Sequence, residues 1–74
     1  QNELVKYITY EKIELVKPEN RAKLLDDLEK RTGLKINRIE IGKIDFLRDV
    51  SEIRVYYNLE SGSDFNSTDL YSND

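Results

Sequence analysis

An α+β fold with the element order strand–helix–strand–strand is what this sequence predicts, on three observations. Residues 7–16 alternate in the manner of a half-buried strand. Glu19 to Arg31 places its leucines at helical spacing between a proline and a glycine. Lys35 to Phe46 and Ser51 to Leu59 alternate again around a short polar turn. A length of 74 residues allows one such unit with a modest core.

Residues 1–6 (QNELVK) show no clear period and read as a lead-in. From Tyr7 to Val16, Tyr7, Thr9, Glu11, Ile13 and Leu15 share one face and Ile8, Tyr10, Lys12, Glu14 and Val16 the other. Ile13 and Leu15 are the expected core side. Pro18 has a fixed φ and no backbone donor, so it suits a first helical turn, and Glu19 favours the positive end of the helix dipole. Ala22, Leu25 and Leu28 then fall on one side with Leu24 beside them, an amphipathic helix. Thr32-Gly33-Leu34 stops it. Gly33 can take the left-handed conformation, and Leu34 can close the apolar contact of a Schellman-type cap.

In the second strand Ile39 and Ile41 share a face opposite Arg38 and Glu40. The phase slips at Gly42, and Ile44 and Phe46 continue the apolar set, which suggests a β-bulge. Leu47-Arg48-Asp49 is the turn. In the third strand Ile53, Val55, Tyr57 and Leu59 point inward and Glu52, Arg54 and Tyr56 outward, with Arg38 and Glu40 placed to meet Glu52 and Arg54 across the hairpin. The domain is therefore expected over residues 7–59. Residues 60–74 are rich in Ser, Asp and Asn and read as a disordered acidic tail, dispensable for folding.

A right-handed crossover makes strands one and two parallel, with strand three between them and antiparallel to both. The expected architecture is α+β, half of a ferredoxin-like fold: a three-stranded mixed sheet with the helix on one face. The other face would be charged and wet, carrying Lys12, Glu14, Arg38, Glu40, Arg54 and Tyr56.

The net charge is −3, the sum of −4 from Glu60, Asp64, Asp69 and Asp74 and +1 from residues 1–58, where the signs are interleaved. A nucleic-acid footprint needs a basic face, so no nucleic acid is expected as partner. The chain holds no Cys and no His, which removes disulfides, thiolate chemistry and histidine acid–base work. No apolar run reaches the roughly 18 residues of a membrane span, and no signal peptide is evident. Gln rather than Met at position 1 suggests a fragment or a processed product.

Lys43, Asp45, Arg48 and Asp49 cluster at the hairpin end. They can be read as a polar site, with a cation between Asp45 and Asp49 or an anion on Lys43 and Arg48. They can also be a turn in which Asp49 bonds local backbone and Arg48 pairs with a carboxylate. The turn is favoured, because two carboxylates four apart rarely supply the six or more oxygens calcium takes. Asp26 and Asp27 read as a solvated helix face. No Gly-rich phosphate motif and no nucleophile–base pair is visible, so catalytic, metal and cofactor sites are all expected to be absent.

The runs ELVKPENR, DLEKRTGL and RIEIGKIDFLRD, with a strand ending RVYY, carry more than a pattern. Over about residues 10–57 they resemble the soluble C-terminal domain of a family of bacterial multi-pass membrane proteins catalogued as a domain of unknown function. The matching motifs are Pro18-Glu19-Asn20-Arg21, Arg31-Thr32-Gly33-Leu34, Gly42-Lys43-Ile44-Asp45 and Leu47-Arg48-Asp49. The resemblance implies a domain on the cytoplasmic face of the membrane, following a transmembrane bundle missing from this chain. Such proteins are often found beside polyphosphate-polymerase-like proteins. The expected role is a non-catalytic interaction or regulatory domain that self-associates weakly or as a homodimer. A small-ligand or ion sensor on the same scaffold is the alternative.

Overall fold

A computed structural model describes residues 3–58. Strand β1 runs Glu3–Tyr10, helix α1 Arg21–Thr32, strand β2 Ile36–Asp45 and strand β3 Val50–Asn58, with two 3-10 turns at Ile13–Val16 and Pro18–Asn20 between β1 and α1. The class is α+β. The sheet order is β1-β3-β2. Both hydrogen-bonded pairings are antiparallel, which corrects the expectation of a mixed sheet: β1 and β2 run the same way but do not pair, because β3 lies between them. The expected tail at 60–74, and Leu59, lie outside the described residues.

The first strand is displaced from its expected place. It begins at Glu3, within the stretch read as a lead-in, and ends at Tyr10. Register explains the end. Tyr10 faces Ser51, one residue short of where β3 begins, so a strand continuing through Glu11 to Val16 would soon have no partner. The chain curls instead, with the Leu15 N–H donating to the Lys12 carbonyl at 2.9 Å. Leu15 and Val16 still pack against the core, whereas Ile13 is only half-buried and stands outside it. The early start was hidden by Lys6. On β1 the helix-side positions are Leu4, Lys6, Ile8 and Tyr10, opposite Tyr57, Val55, Ile53 and Ser51. A lysine there breaks the apolar period. Its ammonium lies 5.7 Å from the centre of the Tyr57 ring, so the charge reaches the rim while the stem covers apolar surface.

The core is Tyr10, Leu24, Leu28, Ile36, Ile53 and Val55, with Leu25, Leu34, Ile39 and Ile41 packed around it. Leu24 and Leu28 are the fully buried helix residues. Ala22 faces solvent, so the apolar stripe is rotated from the Ala22-Leu25-Leu28 line. Pro18 opens a separate 3-10 turn, closed by Asn20 N–H to the Lys17 carbonyl at 2.9 Å, and α1 starts only at Arg21. At the other end Gly33 sits at φ 75, and its N–H donates to the Glu29 carbonyl at 2.9 Å. That single bond is the simpler left-handed cap and not a Schellman pair; the Leu34 N–H goes to the Thr32 Oγ1 at 3.2 Å. A β-carbon on Gly33 meets nothing within 4 Å, so any penalty there is backbone strain alone. Gly33→Val is expected to lower stability by roughly 1–2 kcal/mol. An unchanged urea midpoint would show that the left-handed φ is not required.

The bulge expected at Gly42 is present, as a register shift between Ile41 and Ile44. A second lies between Ile36 and Arg38. This one moves Arg38 opposite Tyr56 and Glu40 opposite Arg54. Arg38 therefore never meets Glu52.

Candidate functional site

The helix-free sheet face carries Glu3, Val5, Tyr7 and Thr9 from β1, Val50, Glu52, Arg54 and Tyr56 from β3, and Arg38, Glu40 and Asp45 from β2. Lys12 and Glu14 do not belong to it, since that stretch is not strand. Glu40 organises one end. Its Oε1 accepts hydrogen bonds from Arg54 Nε at 3.1 Å and Tyr56 OH at 2.9 Å, and its Oε2 accepts one from Arg38 Nη1 at 3.1 Å. The Tyr56 hydroxyl and then Arg54 hold its carboxyl below the ordinary value. The Arg38 guanidinium lies 3.8 Å over the Tyr56 ring and reaches Glu3 Oε1 at 3.2 Å. Each exposed pair contributes little to stability. Together they hold long side chains flat against the sheet.

The hairpin end is built by Asp45. Its Oδ1 accepts the backbone N–H groups of Leu47 and Arg48 at 3.0 and 3.1 Å, and its Oδ2 accepts Arg48 Nη1 at 3.0 Å. The backbone and then the side chain of Arg48 lower its pKa. The backbone-bonding role expected of Asp49 thus falls to Asp45. Asp49 instead occupies the left-handed region at φ 57, which a short polar residue tolerates. Lys43, Asp45 and Arg48 come together with Thr9, Val50 and Glu52 around an open groove of about 240 Å³; Asp49 is not in its lining. Both Asp45 oxygens are engaged in the turn, which leaves little of it for a cation. The partners from β1 and β3 needed the strand register to be known. Next to the groove, the tip residues Phe46 and Leu47 are exposed.

A second polar cluster lies where β1 meets α1, and sequence reasoning missed it. Asp27, assigned to a solvated face, accepts the hydroxyl of buried Tyr10 at 2.5 Å and Arg31 Nη1 at 3.2 Å, with Lys12 Nζ at 3.5 Å. Arg31 also pairs with Glu11 at 3.0 Å and lies over the Tyr10 ring. The signal was available. Asp27 stands three residues after Leu24 and four before Arg31, on the buried side of the helix. Asp26 is solvated and pairs with Lys30.

The two sheet edges differ. β1 pairs with β3 without a register shift over its whole length, and its other side is unpaired among the described residues. β2, the opposite edge, is broken by both bulges. A small three-stranded antiparallel sheet with one helix on one face, one smooth edge and one bulged edge is the class these features define. The chain belongs to the family described as Domain of unknown function (DUF4956), whose model matches residues 1–57. No curated protein and no solved structure matches it. Among the described residues, no helix is long and apolar enough to cross a membrane.

Proposed function

We propose that this chain is a non-catalytic interaction and regulatory module that self-associates, and that it is appended to a membrane-embedded region on the cytoplasmic side. The unpaired edge of β1 carries the self-association. It is eight residues long, unbulged, and leaves Tyr7 75% exposed beside Val5 and Leu4. Long regular edges recruit another strand unless bulges, prolines or inward charges blunt them; the one inward charge on β1, Lys6, carries its ammonium out over the Tyr57 ring. β2 has the bulges and β1 does not. The membrane attachment rests on the resemblance and lies outside the described residues. The strand–helix–strand–strand order with the last strand central supports reading the unit as half of a ferredoxin-like arrangement.

Sedimentation of the chain across a concentration series into the high micromolar range tests this. The expected result is a reversible dimer, weakened by Tyr7→Glu and unaffected by Leu47→Ser at the hairpin tip. A monomer throughout, or an association lost on Leu47→Ser and kept in Tyr7→Glu, would overturn it.

A small-ligand sensor is the second reading, favoured by the groove at Lys43, Arg48 and Glu52. Titration with inorganic phosphate should raise the melting temperature, and Lys43→Ala should abolish the response. No rise with phosphate would remove the anion form of this reading.

A further inference from the structure

We infer that two copies of this chain join β1 to β1 in an antiparallel register centred on Tyr7, with both helices on the same face of one continuous sheet. This rests on the self-association proposed above and adds its geometry. In a strand, the N–H and C=O groups of alternate residues point to the same edge. One parity of β1 is spent on β3, so the other parity faces outward. Residues hydrogen-bonded across a β1–β1 seam must therefore share parity, and the two-fold axis must pass through a residue position, perpendicular to the sheet. Registers centred between two residues are excluded.

Two registers pair all of Glu3–Tyr10 except one end residue, those centred on Lys6 and on Tyr7. The first sets ammonium against ammonium, and like charges directly opposite are destabilising. The second sets Tyr7 against Tyr7, flanked by Val5 against Thr9 on the open face. On the helix face it sets Leu4 against Tyr10 and Lys6 against Ile8. Tyr7, Val5 and Leu4 are 75%, 38% and 37% exposed, and they are the apolar residues such a seam covers. At the seam's end Glu3 would approach Glu11. Both carboxylates already have arginine partners, Arg38 at 3.2 Å and Arg31 at 3.0 Å.

The chain has no cysteine, so single cysteines report the register without background. Opposed Cα atoms in an antiparallel pair lie about 4.5–5.5 Å apart, within disulfide reach. Tyr7→Cys should form a disulfide dimer under oxidised glutathione, and Lys6→Cys, out of step with its copy, should not. Tyr7→Cys can weaken the seam it reports on, so Val5→Cys is also mixed with Thr9→Cys. These two should cross-link to each other and not to themselves. All cross-links should vanish in denaturant. Preferential linkage through Lys6→Cys, with the unsubstituted chain still sedimenting as a dimer, overturns the register and leaves the self-association standing. Absence of any dimer in sedimentation overturns both.

Discussion

Leu24→Ala is expected to destabilise the domain by about 2–5 kcal/mol. Leu24 has no exposed surface and stands in the cluster of Tyr10, Leu28, Ile36, Ile53 and Val55. Removing its branch opens a cavity between helix and sheet, and a single helix on one face has no second layer to close it. A domain this short has a stability of only a few kcal/mol, so the variant should be largely unfolded at ambient temperature. Ala22→Ser, on the exposed side of the same helix, should stay within about 0.5 kcal/mol of the parent. Urea denaturation followed by far-UV circular dichroism measures both. Equal midpoints would mean that the buried stripe of α1 is not where Leu24 and Leu28 place it.

Tyr10→Ala should cost on the order of 3–5 kcal/mol, as loss of a buried aromatic does. Tyr10→Phe isolates the hydroxyl, which donates to Asp27, and should cost about 1–2 kcal/mol. The pH dependence separates these two contributions. Burial and then the Asp27 carboxylate raise the Tyr10 pKa. The neutral phenol is favoured in the folded state, so this contribution is complete below about pH 10, the ordinary tyrosine value, and lost as pH rises through the raised one. The Tyr10 hydroxyl, and after it Arg31, lowers the Asp27 pKa against the opposing effect of burial. That contribution is complete above about pH 4 and lost as pH falls through the lowered value. Glu3, Glu11, Glu40 and Asp45 are lowered too, so the acid limb survives in Tyr10→Phe. The alkaline limb is the diagnostic one. If Tyr10→Phe loses stability above pH 10 as the parent does, the phenol is not the group responsible.

Much of this architecture was legible because it obeys local rules. The cap at Gly33, the bulge at Gly42 and the inward set of β3 each follow from a few neighbouring residues. The errors share a different cause. β1 was misframed because Lys6 occupies an inward position, and because Ile13, Leu15 and Val16 fit a strand as well as a curled turn. Only the length of β3 decides between them. The bulge at Asn37 has no glycine to announce it. Its side chain bonds Glu3 and Asn58 at 3.2 and 3.1 Å, contacts that bring all three strands together. Asp27 was judged by its polarity, although its spacing from Leu24 points inward. Three members of the hairpin cluster were found because they are near in sequence. Thr9 and Glu52 were not, because they reach the groove only through strand pairing.

The two bulges of β2 also bear on how far the proposed assembly would proceed. A sheet with two regular edges adds copies indefinitely, each newcomer offering a fresh template. Among the described residues each chain has one unbulged outer edge, and the symmetric pair proposed above would consume both. Such pairing would cap its own growth: the proposed dimer would present only kinked outer margins, and a module joining with itself in this way would avoid becoming the seed of a fibre.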